Sequence, residues 1–314
     1  GQHHSNIRIF VSAHKQATFP KGESILPMQV GAAHATTRFP NTLHDDEGEN
    51  ISAENPRYCE LTAQYWAWKN EDADYYGFCH YRRYFDFTDT PHKENDYGEI
   101  IDSYIDSRTI AEYGINDKAI AHAVDGWDII TTPLNDVRRI GGFSNLKQHW
   151  DADEHLRLND LRHMYDILCE RHPDYKMDAD AVLNGRTAAF CNMFIMRKEI
   201  FFEYNEWLFP LLDEFAMTTA QQDGHAGHAH RRPSLRTAFE HLYRTQAAHR
   251  RRLENQTTAM RAFSASRAER DTGTGRAGAW TCGAGGVRRG QQLRPDAHHH
   301  HLFNAEERFH ESYV

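Results

Sequence analysis

The run Tyr-Tyr-Gly-Phe-Cys-His-Tyr-Arg-Arg-Tyr-Phe-Asp-Phe at residues 75–87 most constrains the fold, because its aromatic first half is typical of a buried strand. Apolar residues at 7–11 predict an earlier strand, and residues 56–70 between the two have helical spacing. A strand, a helix and a second strand in this order favour an open α/β sheet. Ligands of such sheets bind beyond the carboxyl ends of the strands, so we expect functional residues in the loops that follow them.

Two of these loops carry polar or cationic side chains. The first holds Ser12, His14 and Lys15, which would face the site unless this is simply a solvated loop. The second holds Arg82 and Arg83. Arg presents a planar fork of donors that matches phosphate oxygens and stays charged at any working pH. The arginines therefore indicate a phosphorylated ligand, with a solvated strand edge or a structural ion pair as the alternative.

The composition excludes several classes of protein. A net charge of −9 argues against a nucleic-acid footprint. The sequence contains neither G-x-G-x-x-G nor G-x-x-x-x-G-K-[ST], which argues against dinucleotide oxidoreductases and P-loop NTPases. The five cysteines show no metal or redox spacing. No apolar run approaches the about 20 residues of a membrane span, and the polar start lacks a signal-peptide core, so we expect a cytoplasmic protein.

An acidic run, Asp-Asp-Glu-Gly-Glu, occupies residues 45–49. Carboxylates of this kind could hold a divalent metal through hard oxygen ligands. The spacing matches no calcium-loop pattern, so we expect a solvated turn.

Residues 56–70 are predicted to form one helix, with Asn55 as N-cap and Pro56 at the first helical position. Trp66 lies on this helix, where an aromatic ring could meet a sugar, although packing is the commoner role. Glu60 lies in the second turn, where a carboxylate could act as a base or hold an arginine.

The pattern further along predicts a helix at 115–124, a strand at 126–133, one or two helices at 146–171, a strand at 187–196 and an amphipathic helix at 199–217. Asn192 interrupts the last strand, and a buried amide must find partners, so Asn192 belongs to a polar network or contacts a ligand. His155 could be catalytic, but a lone histidine in a helix is more often structural or solvated.

The chain changes character after residue 223. Residues 224–300 contain no Ile or Lys and are rich in Arg, Ala, Gly and His, so they cannot bury much apolar surface. We therefore expect one domain at residues 1–223 and an atypical tail at residues 224–314 that is disordered or encoded in a shifted reading frame.

Two long runs resemble a known family: N-I-S-A-E-N-P-R-Y-C-E-L-T-A-Q-Y-W-A-W-K-N at 50–70 and G-F-C-H-Y-R-R-Y-F at 77–85. With C-N-M-F-I-M at 191–196 and W-L-F at 207–209, they resemble a bacterial glycosyltransferase family of capsule and O-antigen synthesis. This family was long catalogued as a domain of unknown function, and some members are galactofuranosyltransferases. The resemblance covers residues 6–216.

The resemblance implies a GT-A-like fold, an open mixed α/β sheet whose strand ends hold a UDP-sugar. It also implies a glycan or lipid-linked saccharide acceptor, with peripheral contact at the inner face of the membrane. In most such enzymes an Asp-x-Asp motif holds a divalent metal, Mn²⁺ or Mg²⁺. Here the strand ends in His80-Tyr81-Arg82-Arg83, so we assign no metal ligand and expect cationic side chains to take over part of the metal's work at the leaving group. A divalent metal, Mn²⁺ or Mg²⁺, stays open as a cofactor.

The expected function is hexosyl transfer, with galactofuranose as the sugar; transfer of galactopyranose or glucose, or non-catalytic binding of a nucleotide sugar, are the alternatives. The residues expected in catalysis are Glu60, His80, Asp86 and Asp180, with Asp178 as a further candidate base. The residues expected to bind the donor are Ser12, His14, Lys15, Asn50, Ser52, Asn55, Arg82, Arg83 and Asn192. The residues expected to bind the acceptor are Trp66 and His155.

Overall fold

The computed structural model of the protein describes residues 4–95, 99–102, 104–152, 158–188, 193–223, 257–260 and 262–265. Its strands are β1 (Ile7–Ala13), β2 (Ile25–Gln29), β3 (Leu43–His44), β4 (Tyr75–His80), β5 (Arg83–Phe85), β6 (Glu99–Asp102), β7 (Ile129–Thr131), β8 (Asn135–Asp136), β9 (Thr187–Ala188), β10 (Phe194–Arg197), β11 (Thr257–Ala259) and β12 (Ala262–Ala265). Its α-helices are α1 (Asn55–Tyr58), α2 (Leu61–Asn70), α3 (Ser107–Glu112), α4 (Asp117–Val124), α5 (Val137–Gly141), α6 (Leu146–Ala152), α7 (Leu158–Arg171), α8 (Lys176–Leu183) and α9 (Lys198–Asp223).

One mixed sheet of ten strands organises the chain, and its main path runs β11-β7-β10-β4-β1-β2-β3. Strands β1 to β4 are parallel, whereas β10 runs antiparallel between β4 and β7. The carboxyl ends of β1, β2, β3, β4 and β7 therefore lie at one edge of the sheet, which we call the carboxyl edge. The open mixed α/β sheet flanked by helices that the sequence predicts is confirmed.

Apolar side chains cover both faces of the sheet. In β1, Phe10 belongs to one core cluster with Phe78 of β4, and Ile9 belongs to the cluster on the opposite face. Helices α2 and α9 pack on the first face, and α4 packs on the second. A Cβ at Gly77 of β4 would lie 2.9 Å from Cγ1 of Ile9 and 3.0 Å from Cγ1 of Ile195. Only glycine therefore fits at this central position between β1 and β10.

The helix predicted at residues 56–70 is interrupted, because Cys59 has a φ angle of 49° and separates α1 from α2. The predicted N-cap, Asn55, is instead the first residue of α1. Its side-chain amide donates to the Cys59 carbonyl at 2.8 Å, and the Thr62 N–H donates to the same carbonyl at 3.2 Å. These bonds satisfy a carbonyl that the break removes from the helical ladder.

The other predicted elements form with adjusted ends. The helix predicted at 115–124 is α4, and the strand predicted at 126–133 contains β7. The strand predicted at 187–196 is divided: β9 pairs with β8 in a separate two-stranded sheet, while β10 joins the main sheet. Helix α9 extends further than the predicted 199–217. Among the helices of the described ranges, none is both long and apolar enough to cross a membrane.

The sheet continues past the predicted domain boundary at residue 223. Strand β11 runs parallel to β7, and β12 pairs with both β5 and β6. Ala262 of β12 is buried, with 1% of its surface exposed. Residues 257–259 and 262–265 of the predicted tail therefore pair with strands of the main sheet.

Candidate functional site

The ends of β1 and β4 lie side by side at the carboxyl edge. Ser12 is in register with His80, and the Tyr81 N–H donates to the Ser12 carbonyl at 3.0 Å. The His14 ring centroid lies 6.0 Å from that of His80 and 5.4 Å from that of Tyr81. Lys15 is the next residue and is exposed. The two loops that the sequence assigned to a phosphorylated ligand therefore meet at one place.

Residues 80–83 form a tight turn that we call the arginine hairpin. His80 at the end of β4 pairs with Arg83 at the start of β5, so Tyr81 and Arg82 alone make the turn. The guanidinium carbon of Arg82 lies 5.5 Å from the centroid of the Tyr81 ring, within cation–π range. The turn therefore places Tyr81 and Arg82 at the carboxyl edge of the sheet.

His80 is buried within this hairpin, and its Nδ1 accepts a long hydrogen bond from the Arg82 N–H at 3.4 Å. Burial, followed by the nearby His14, Arg82 and Arg83, holds the pKa of His80 well below its ordinary value of 6.5. An imidazole that accepts at Nδ1 carries its proton on Nε2. The lowered pKa favours neutral His80, with its proton on Nε2, over the imidazolium that a general acid requires.

The two arginines have different environments. The Arg83 side chain is 4% exposed, and its Nη2 lies 3.7 Å from Oε2 of Glu99, which is 13% exposed. For Arg83, this contact is the structural ion pair that the sequence analysis gave as the alternative to a phosphorylated ligand. Arg82, by contrast, is half-buried and lies against the Tyr81 ring.

A second polar region, which we call the Asp45 network, follows β2 and β3. Asp45 is fully buried, and its carboxylate accepts from the N–H groups of Gly31 and Ala32 at 2.8 and 3.0 Å. It also accepts from the hydroxyls of Ser52 and Thr62, both at 2.6 Å. The solvated turn predicted for the acidic run is wrong at Asp45, because four donors replace water around a buried charge.

The three residues placed at the donor by family resemblance hold the local chain together. Asn50 donates to two carbonyls of its own turn and accepts the Ser52 N–H at 3.1 Å. Ser52 is buried and its hydroxyl belongs to the Asp45 network. Asn55 binds the helix break at Cys59. Each of these side chains therefore has a structural role in this region of the carboxyl edge.

Asp86 follows β5 and is buried. Its Oδ1 accepts from the N–H and the hydroxyl of Thr88 at 3.0 and 2.6 Å, and its Oδ2 lies 2.9 Å from Nδ1 of His92. Both oxygens are therefore engaged in holding the following turn, which leaves Asp86 poorly placed to take a proton from an acceptor.

Asp180 lies on α8, where it accepts from the Tyr165 hydroxyl at 2.5 Å and from Lys176 at 2.9 Å. These two hydrogen bonds lower the pKa of Asp180. Asp178 is half-buried on the same helix. The contacts of Asp180 are thus with its own helical layer and not with the arginine hairpin.

Glu60 is half-buried and immediately precedes α2. The opposite end of α2 lies at the amino edge of the sheet, because Oε1 of Glu71 lies 3.8 Å from Nε of Arg8 in β1. The start of α2 therefore lies at the carboxyl edge, and Glu60 is the predicted catalytic carboxylate that shares this edge with the hairpin.

Trp66 is part of the core. Its side chain is 8% exposed, its Nε1–H donates to the Glu47 carbonyl at 2.7 Å, and its ring lies edge-on to Phe10. A ring buried in this way offers no platform to a sugar. The other two predicted contacts, Asn192 and His155, lie outside the described residues.

Sequence reasoning treated Asp45 only as part of the acidic run, and it assigned no role to Glu99 or Tyr81. The signal for Asp45 was its position directly after β3, where a carboxylate can meet the backbone of a neighbouring loop. For Tyr81, the signal was its position immediately before Arg82.

Among the side chains that the structure describes, no three His, Cys, Asp or Glu converge in a way that could hold a metal ion. The end of β4 carries cationic side chains where an Asp-x-Asp motif would supply carboxylates. The described residues therefore do not fit a divalent cation at that position.

The sheet topology defines a glycosyltransferase fold: the structure matches that of the WbbM bifunctional glycosyltransferase in its apo form, with a TM-score of 0.78 and 30% identity. The chain belongs to the family described as Domain of unknown function (DUF4422), whose model matches residues 8–233. The match to WbbM covers 84% of this chain and 46% of that chain, so this chain spans less than half of WbbM. No curated protein matches it. The predicted fold and the membership of a glycosyltransferase family are confirmed.

Proposed function

We propose that this protein transfers a sugar, galactofuranose, from a UDP-sugar donor to a glycan or lipid-linked saccharide in cell-surface polysaccharide synthesis. The observation that carries the proposal is the arginine hairpin beside the end of β1, at the carboxyl edge of a glycosyltransferase fold. The similarity to WbbM supports the reaction class, and the family resemblance supports the sugar.

The departing UDP gains negative charge as the glycosidic bond breaks, and the cationic end of the sheet suits that charge. Arg82, His14 and Lys15 would bind the diphosphate, with Ser12 as a further polar contact. Charge-assisted donors already in place contribute most where charge develops in the transition state. Neutral His80 would contribute an N–H donor.

Transfer from an α-linked donor to a β-linkage inverts the anomeric centre, so a base must take the acceptor proton. The acceptor oxygen forms a bond to the anomeric carbon, the bond to UDP breaks with its electron pair, and the proton passes to the base. We assign this role to Glu60, because α2 begins at the carboxyl edge, which Glu60 shares with the hairpin.

The test is a donor panel with the full chain: UDP-galactofuranose, UDP-galactopyranose, UDP-glucose and UDP-N-acetylglucosamine, each with simple galactoside acceptors, with and without EDTA. Arg82→Ala should lower transfer about 10- to 100-fold, because a charge-assisted hydrogen bond contributes about 1.5–3 kcal/mol. The control is Arg171→Ala, an exposed arginine paired with Glu214 on the helical layer, which should transfer like the wild type.

The outcomes separate the alternatives. Transfer from UDP-galactofuranose alone would support the full proposal, and transfer from another donor would change the sugar but keep the enzyme class. UDP binding with no transfer from any donor would favour a binding protein. Loss of activity in EDTA with recovery in Mn²⁺ would contradict a purely cationic leaving-group site.

A further inference from the structure

The pair formed by Arg83 and Glu99 joins two strands that are not neighbours. Strand β12 lies between them, with Ser264 opposite Arg83 of β5 and Ala262 opposite Glu99 of β6. Residues opposite one another across a ladder share a face of the sheet, and so do residues two apart along a strand. Arg83 and Glu99 therefore extend from the same face and meet over β12.

Meeting in this way requires two long side chains and a small residue beneath them. Strands on either side of a central strand lie about 10 Å apart. Arg and Glu together reach across this distance, and Ala262, with 1% of its surface exposed, adds little bulk between them. Glu99 is fixed in turn by Asn95, since its N–H donates to Asn95 Oδ1 at 2.9 Å and its carbonyl accepts the Asn95 N–H at 2.8 Å.

A buried ion pair at this place does little for stability, because desolvation offsets most of its Coulombic attraction. Its best-attested use is to specify register. Strands β5 and β6 are short, Arg83–Phe85 and Glu99–Asp102, so few ladder bonds fix them along β12. A slip of one residue would turn Arg83 to the opposite face and move the arginine hairpin with it.

We propose that Arg83 is a positioning residue: its ion pair with Glu99 across β12 fixes the register of β5 and thereby directs the preceding residue, Arg82, toward the donor phosphates. This deepens the proposed function and rests on it. It also makes residues 262–265 part of the donor site, although they lie beyond the residues 8–233 that match the family.

The experiment measures UDP affinity by calorimetry and the urea unfolding midpoint for full-length Glu99→Gln, Arg83→Glu and the double reversal Arg83→Glu/Glu99→Arg. Glu99→Gln should weaken UDP binding at least tenfold, although Glu99 would not touch the ligand. Arg83→Glu should weaken binding as much or more, and the double reversal should recover most of the affinity. The matched control, Glu112→Gln, removes an exposed carboxylate paired with Arg108 and should bind UDP like the wild type.

If Glu99→Gln bound UDP with wild-type affinity, the proposal would be overturned. Arg83 would then again be a candidate for direct contact with the donor phosphates. A double reversal that recovers the unfolding midpoint but not UDP affinity would also overturn the proposal. If the double reversal does not fold, Glu99→Gln alone decides. If the wild type neither binds UDP nor transfers sugar, the proposed function fails. The unfolding midpoints then still test the register role of the ion pair. Recovery of the midpoint in the double reversal would support that role, and a double reversal whose midpoint falls by the sum of the two single losses would reject it.

Discussion

Two polar regions share the carboxyl edge of the sheet, and their side chains are used differently. In the Asp45 network, a buried carboxylate accepts two backbone N–H groups and two hydroxyls. In the arginine hairpin, Arg82 lies against the Tyr81 ring, and neutral His80 accepts the Arg82 N–H. The first region binds its own loops together, whereas the second gathers positive charge at the ends of β1 and β4.

The comparison shows that polar composition alone does not locate a ligand site. Side chains that satisfy backbone groups within the fold rigidify it, and a fully satisfied network of this kind fixes one conformation. The planar guanidinium of Arg82, beside the Tyr81 ring, presents a fork of N–H donors that matches two oxygens of a phosphate group. We therefore expect substitutions in the Asp45 network to change stability and substitutions in the hairpin to change donor binding.

The largest expected effect is on the stability of Asp45→Ala. The change leaves the N–H groups of Gly31 and Ala32 and the hydroxyls of Ser52 and Thr62 without their acceptor, and each such loss costs about 1–3 kcal/mol. We expect the free energy of unfolding to fall by at least about 3 kcal/mol, measured by urea denaturation. The control is Asp46→Ala, which removes a carboxylate that pairs with exposed Arg38. This variant should unfold at a midpoint near that of the wild type. Equal effects of the two variants would contradict the distinction between the regions.

Ser52→Ala sharpens the comparison because the sequence placed Ser52 at the donor. Its hydroxyl donates to Asp45 at 2.6 Å and accepts the Ala33 N–H at 3.1 Å. Loss of a hydrogen bond to a charged group should lower the free energy of unfolding by about 1.5–3 kcal/mol. UDP affinity, measured by calorimetry at a temperature where the variant is folded, should stay at the wild-type value. A tenfold loss of affinity with unchanged stability would restore the original assignment.

The sequence predicted the sheet well, because the signals of its strands are local. The apolar residues of β1 and the aromatic residues of β4 mark buried strands, and polar residues follow directly at their carboxyl ends. The family runs added the glycosyltransferase fold. The break at Cys59 could not be predicted, since α1 and α2 have continuous helical spacing and the bonds that stabilise the break come from the Asn55 side-chain amide and the Thr62 N–H.

The different environments of Arg82 and Arg83 could not be predicted from the sequence either, for another reason. The partner of Arg83 is Glu99, and the strand over which they meet, β12, comes much later in the chain. Likewise, Asp45 and Asp46 are adjacent carboxylates, but only the first reaches the N–H groups of Gly31 and Ala32. Contacts between distant segments decided each of these roles.

The smallest expected effect is the pH dependence that buried His80 gives to stability. Because the pKa of His80 is well below 6.5 in the folded chain, the unfolded chain binds more protons as the pH falls below 6.5. Stability should therefore decrease from pH 7 toward pH 5, with a contribution from this residue of at most about 1.4 kcal/mol per pH unit.

His80→Asn keeps an acceptor near the Nδ1 position but cannot titrate, so its unfolding free energy should lack this slope. Urea denaturation of both proteins between pH 5 and 7.5 measures the difference, and His122→Asn, at an exposed position on α4, serves as the control that should retain the wild-type slope. Identical slopes for wild type and His80→Asn would mean that His80 is not held neutral in the hairpin, and its role as an N–H donor at the leaving group would have to be abandoned.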